Sequence, residues 1–358
     1  MTSLGWSKRS TEEDLRQVIL GFPQSIDEFD IEKKLTMMHF ASMRGWIDTV
    51  SLLIERGSKS VNAPNCYGQL PISYAATHGY AEIVELLVRH GSRTDDPNNV
   101  GDTPMHCAAR SGHPHVAETL ARLGSMTICT LDKACVTPLY RAVLEGHVST
   151  VKTLARLDNK AIWIQSSDGY LPVHRAASDG CLELVKFFVR IDRELLDVQT
   201  RDLETPLFIA ASRGREDVVE FLVRMGSNSM DAPDIRGRTP VTVAAEYGKP
   251  WMIITLVRLG SKALDFPDKR IINIANTAIF GQQAECARIL RSLLGNPSGM
   301  GLRELIDGHP FWVSECAKEE YTHEVRYRVY FGESLVGRLI FQLKRLACLR
   351  SEQRQLNE

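Results

Sequence analysis

No stretch of this 358-residue sequence approaches the roughly 18 to 20 continuous apolar residues of a membrane span. Neither sign of charge is in excess, with 43 Lys and Arg against 44 Asp and Glu. The first absence excludes a spanning helix. The second removes the long-range field that would gather nucleic acid or an anionic membrane around the molecule, so no nucleic-acid partner is expected. Cysteine is sparse: eight residues are scattered singly from Cys66 to Cys348 with no C-x-x-C pair, which argues against a disulfide framework. Met1 to Arg9 lacks the apolar core of a secretory leader. Reduced thiols in a soluble protein of the cytoplasm or nucleus are therefore expected. A Walker loop, a G-x-S-x-G elbow and an H-E-x-x-H helix are missing as well, so no catalytic residue, cofactor or metal is expected.

What the chain does have is 44% hydrophobic content, enough for a large ordered core, and a repeat. A Gly recurs at 45, 79, 112, 146, 180, 214, 248 and 281, at intervals of 33 or 34 residues. Eight residues before it stands Pro71, Pro104, Pro138, Pro172, Pro206 or Pro240, usually after Thr or Leu, and the outer units carry Met37 and Asn273 there. Pro is welcome in a first helical turn, where its missing N–H would lack a partner, and the preceding Thr can cap that turn. The Gly then stops a short first helix. A second helix follows at once, its apolar stripe written as Ile83, Val84, Leu86 and Leu87 and again as Val218, Val219, Phe221 and Leu222. Another Gly ends it at 57, 91, 124, 226 and 260, and a turn-rich stretch such as Asn62 to Gly68 leads to the next unit.

Thr103 to His113, T-P-M-H-C-A-A-R-S-G-H, and Leu171 to Gly180, L-P-V-H-R-A-A-S-D-G, resemble the ankyrin repeat. The resemblance covers about Thr36 to Gly295, eight units. It implies an all-α solenoid of helix-turn-helix units with hairpin fingers, residues 1–35 forming a capping half-repeat and residues 296–358 a small non-repeat segment of strand and helix. Departures from the pattern mark single units. Asp158 and Asp192 replace the second-helix Gly, and Cys135 and Leu203 replace the finger Gly, so those two fingers are expected to bend differently. Ile271 to Asn276 has lost both Thr and Pro, which suits an end unit.

The ends need polar covers, because each unit otherwise exposes a face made for stacking. Ser10 to Asp14 looks like a helix start, followed by Leu15, Val18, Ile19 and Leu20 and ended at Gly21-Phe22-Pro23. Toward the other end, Val325, Tyr327, Val329 and Phe331 alternate as in a half-buried strand, and Leu335 to Arg350 reads as a basic amphipathic helix with no acid in it. That segment reads as a cap on the last repeat, or else as a docking element for an acidic partner, a calmodulin-like groove or an anionic membrane surface. At roughly 16 residues it is too short to span a bilayer.

Recurrent His39, His106 and His174 invite a metal reading, but Ser73, Tyr140, Phe208 and Thr242 replace them in other units. The resemblance gives them the role of hydrogen-bonding neighbouring repeats. Cys129 and Cys135 flank one finger with no His or second pair at zinc spacing, and Cys316 and His323 are a lone pair. In the family resembled, recognition falls to finger tips and first-helix ends, which vary without cost to stacking. Carried over, those positions give Tyr67, Gln69, His78, Asp102, Arg110, Glu145, Asp168, Tyr170, Asp179, Arg201, Arg213, Arg236, Arg238 and Tyr247. Their charges nearly cancel, which suits a protein or peptide on the concave face of a monomeric scaffold better than a phosphate backbone. Tyr67, Tyr170 and Tyr247 are the anchors the pattern favours, though each alone could be a tolerated surface aromatic.

Overall fold

The structure is a computed structural model that describes residues 11–22, 26–30, 32–264, 286–290 and 293. The helices in chain order are α1 (Glu12–Gly21), α2 (Met37–Arg44), α3 (Ile47–Glu55), α4 (Pro71–His78), α5 (Ala81–Arg89), α6 (Pro104–Arg110), α7 (Pro114–Arg122) and α8 (Pro138–Leu144). They continue as α9 (Val148–Leu157), α10 (Pro172–Asp179), α11 (Leu182–Ile191), α12 (Pro206–Arg213), α13 (Glu216–Arg224), α14 (Pro240–Glu246) and α15 (Pro250–Arg258). Residues 286–290 are also helical. The expectations for Ile271 to Asn276 and for residues 296–358 lie outside the described residues.

Two compact units divide within α10, residues 1–176 and 177–358. In the first, α2, α4, α6 and α8 pack side by side as one layer, and α1, α3, α5, α7 and α9 as another. In the second, α12 packs on α14, while α11, α13 and α15 form the other row. In the row of second helices α1 lies against α3, where Thr49 Oγ1 donates to Glu12 at 2.9 Å.

The first helices start at the marked position, five of them behind a capping Thr. Thr36, Thr103, Thr137, Thr205 and Thr239 accept the backbone N–H three residues on, satisfying a donor the helix cannot. The ruler Gly closes the helix in the left-handed conformation, with φ of +78° at Gly45, +83° at Gly79 and +72° at Gly214. It has a second duty. A Cβ on Gly79 would lie 2.7 Å from the ring of His113, and one on Gly112 2.7 Å from that of His147. These histidines turn Nε2 to the carbonyls of Thr77 and Arg110, both at 3.0 Å, taking up carbonyls at the end of the preceding unit's first helix. The small residue thus also admits the next unit's side chain.

The apolar stripes are buried as patterned, with Ile83, Val84, Leu87, Val218, Val219 and Leu222 in the core and Leu86 and Phe221 half-buried. The expectation about the two departing fingers is revised. Cys135 (φ +56°) and Leu203 (φ +62°) adopt the same left-handed turn as Gly68, Gly101, Gly169 and Gly237, and their N–H groups donate to the carbonyl three residues back as those glycines do. The fingers are not bent differently, and the side chains sit in a backbone region that favours Gly. Asp158 and Asp192 start short 3-10 helices (Asn159–Trp163 and Arg193–Leu196) by accepting from the N–H of Lys160 and Glu194.

Candidate functional site

The fingers are built on a short polar residue six positions before each Pro: Asn65, Asn98, Asp132, Ser166, Thr200 and Asp234. In four of them one side-chain oxygen accepts two backbone N–H groups across the turn. Asn65 takes Tyr67 and Gln69 at 2.8 and 2.9 Å, Asn98 takes Val100 and Asp102 at 2.9 Å, Asp132 takes Ala134 and Val136, and Asp234 takes Arg236 and Arg238. All six anchors are buried, which fixes the fingers as rigid displays. This ladder is legible in the sequence as a recurring short polar residue, and the sequence reading passed over it. A second device it passed over is a serine after the second helix that donates to an aspartate one unit back, as Ser58 does to Asp27 (2.6 Å), Ser125 to Asp95 (2.9 Å) and Ser227 to Asp197.

Fingers also bond to fingers. Cys66 N–H donates to Lys33 O, Asn99 to Tyr67 O and Lys133 to Val100 O in the first unit, and Ile235 to Asp202 O in the second, at 2.9 to 3.1 Å. The histidines work inside this frame. His39 and His106 have no exposed surface, with Nδ1 against the hydroxyls of Thr36 and Thr103 (2.8 and 2.9 Å) and Nε2 on the carbonyls of Gln69 and Val136 (3.0 and 3.2 Å) in the next finger. Burial drives the His39 imidazole down to about 4 and lowers that of His106. Both therefore serve the stack as neutral rings, as the resemblance implies.

In the first unit Tyr67 stands 53% exposed at a tip, and His78, Glu145 and Asp168 are exposed. Gln69 is half-buried, its amide oxygen accepting from Asn65 at 3.2 Å, and Tyr170 is half-buried edge-on to His174. Asp102 is buried and ion-paired with Arg110 at 2.7 Å. In the second unit Tyr247 is 58% exposed and Asp179, Arg201, Arg213 and Arg236 are exposed. Arg238 is enclosed by Asp234 (2.7 Å), Glu246 (3.3 Å) and Glu204 (3.9 Å), with its guanidinium over the Phe208 ring. Burial pushes the Asp234 carboxyl upward, but bonds from Arg238 outweigh it and hold the group below the usual range. Asp102, Arg110 and Arg238 thus serve the framework first, whereas Tyr67 and Tyr247 are displayed by it.

Burial raises the Cys107 thiol to about 11, and burial with the Asp158 carboxylate raises Cys129 to about 11, so neither is a ready nucleophile. Among the described residues no group of three or more His, Cys, Asp or Glu could hold a metal ion, and no helix is long and apolar enough to cross a membrane.

Comparison with known proteins adds the family. The family model described as ankyrin repeats (3 copies) matches residues 12–98, 92–168 and 173–269. Two solved structures are similar over most of the array. The ankyrin repeat domain of Bcl-3, described as a unique member of the IkappaB protein family, has a TM-score of 0.55 at 23% identity and covers 63% of this chain and 100% of its own. The human ASB11 ankyrin repeat domain has a TM-score of 0.54 at 20% identity and covers 62% and 97%. In sequence, 51 residues are 41% identical to the Oryza sativa subsp. japonica protein named "Probable E3 ubiquitin-protein ligase XBOS33"; the match spans 14% of this chain and only 10% of that protein.

Proposed function

Because the chain belongs to the ankyrin-repeat family, whose repeats are protein-interaction scaffolds, we propose that it is a non-catalytic scaffold holding a protein or peptide on its fingers and first-helix ends, along the concave face that such a stack presents. One observation carries this reading. The recurring polar groups are consumed in shaping each unit and joining it to its neighbour, while Tyr67, on an anchored finger turn, and Tyr247, at the end of α14, are more than half exposed, with no side-chain hydrogen bond or ion pair among the described residues. Rigid aromatics displayed in this way dominate interfaces at small entropic cost. We place the protein in the cytoplasm or nucleus as a monomer without a nucleic-acid partner.

The test is affinity capture on the full chain and on Tyr67→Ala and Tyr247→Ala variants, each first shown to melt like the parent. Loss of a bound protein from the variants supports the reading, and equal recovery by all three removes it. A second reading makes the chain an adaptor, on the strength of the acid-free basic pattern of Leu335 to Arg350. A chain ending at Gly295 that folds and keeps its client but loses a second protein or vesicle binding would establish it.

A further inference from the structure

We propose that the finger row of residues 66–134 recognises an uncharged, extended peptide in the polyproline II conformation with an apolar side chain at every third position. This rests on the scaffold reading and adds the partner's chemistry to it. Tyr67, Val100 and Ala134 occupy one position in consecutive fingers, twelve residues before Gly79, Gly112 and Gly146. All three are exposed, Tyr67 by 53% and Val100 by 57%. The bonds from Asn99 N–H to Tyr67 O (2.9 Å) and from Lys133 N–H to Val100 O (3.1 Å) join each finger to the next as strands are joined. Each finger is closed across its turn, by Asn65 N–H to Gln69 O, Asn98 N–H to Asp102 O and Asp132 N–H to Val136 O, and two such arms per finger at the ordinary strand spacing of ~4.8 Å would repeat the apolar tip every ~9.6 Å.

A ligand lying along the row must present like side chains on one face at that interval. Polyproline II turns once in three residues and advances about 9.3 Å in doing so. A β-strand has a period of two, so its third residue faces away. A helix returns to register only after seven residues, about 10.5 Å, and offers no unbonded carbonyl from its interior. The carbonyl decides between the two that fit. Asn65 Oδ1 is occupied by the N–H groups of Tyr67 and Gln69, which leaves its Nδ2 to donate to the Tyr74 hydroxyl at 3.0 Å. The half-buried Tyr74 phenol beside the tips therefore keeps its own proton to give, and a polyproline II backbone supplies free acceptors.

Charge points to a neutral ligand. Arg110 is held by Asp102, Arg141 by the buried Asp132, and the Lys133 ammonium by the Asn99 carbonyl at 2.8 Å. An acidic or phosphorylated segment would have to compete with Asp102 or Asp132 for either guanidinium, which leaves the Lys133 ammonium as the one cation of this row that a carboxylate does not already neutralise.

The experiment selects phage-displayed random twelve-residue peptides on the full chain, then measures a fluorescein-labelled consensus peptide by anisotropy. Sequences low in charge with apolar residues at i, i+3 and i+6 are expected. Binding should weaken at least tenfold in the Tyr67→Asp/Val100→Asp double variant and in Ala134→Asp, with melting temperatures unchanged, and several-fold in Tyr74→Phe, which also takes a partner from the buried Asn65 amide and is compared at a temperature well below its melting point. Convergence on alternate, heptad or acidic patterns, absence of enrichment, or a consensus that still binds both Asp variants overturns the proposal. If affinity capture on the wild-type chain yields a Tyr67-dependent protein whose mapped segment lacks the three-residue spacing, the scaffold reading stands and this inference falls alone.

Discussion

Cys135 and Leu203 hold φ angles of +56° and +62° in turns where the other fingers place Gly. An L side chain there costs about 1 to 2 kcal/mol, partly offset because Gly gives the unfolded chain more freedom. The Cys135 side chain is exposed and little packing depends on it, so Cys135→Gly should stabilise by up to about 1 kcal/mol, read as a higher urea midpoint. Leu203→Gly should gain less, since Leu203 is partly covered. A lower midpoint for Cys135→Gly would mean that the strain is absent. His39 gives a second residue-scale expectation. Its imidazole titrates near 6.5 in an unfolded chain and at about 4 in the fold, lowered by burial. Between those values the unfolded chain holds a proton that the folded one lacks. Stability present above pH 6.5 is therefore lost as pH falls toward 4, by about 2 kcal/mol at pH 5 from this group. Chemical denaturation of wild type and His39→Gln at pH 7.5 and 5 should show the variant losing less on acidification, whatever its own starting stability. The histidine's role followed from the family resemblance, but the left-handed torsion of Cys135 was not legible. Sequence marks the loss of Gly, whereas the anchor Asp132 and the bond between neighbouring fingers decide that the turn keeps its shape.

At the scale of the helix pair, the glycines that end helices answer to two constraints that substitution can separate. Gly57 ends α3 at φ +77° with nothing within 4 Å of the place a Cβ would take, whereas Gly79 ends α4 at φ +83° with the His113 ring 2.7 Å from that place. Ala at Gly57 meets backbone strain alone, about 1 kcal/mol, and Ala at Gly79 must also displace a ring hydrogen-bonded to Thr77, bringing the expected loss to about 2 to 3 kcal/mol. Equal losses in denaturant titrations would show that the neighbouring unit yields freely. Helix starts, stops and buried stripes were readable because Thr, Pro, Gly and apolar spacing act within a few residues. What the serine–aspartate pairs and the histidine at Gly+1 do depends on a unit some 30 residues away, as Ser227 to Asp197 and His113 to Thr77 illustrate, and no local pattern announces it.

Across the whole chain, the ladder of Gly at 33 or 34 residues decided the architecture, and the matched ankyrin-repeat model agrees with it. The candidate surface was only half legible. Position in the unit identified Tyr67 and Tyr247 as displayed, but it treated Asp102, Arg110 and Arg238 alike with them, since a sequence does not tell which charge finds a partner eight residues on or in the next finger. A repeat array draws its stability from each unit and its nearest neighbours. In the first unit the first helices pack in sequence, α2 on α4, α4 on α6 and α6 on α8. Gly79→Ala should therefore speed amide hydrogen exchange most in α4, α6 and α7, with a smaller effect in α2 and α3, and leave α13 to α15 at wild-type protection. Exchange followed by mass spectrometry on the full chain reads this directly. A uniform rise through α15 would mean that the array opens as one cooperative body, in which case a partner gripping the first fingers would stabilise the last ones as well.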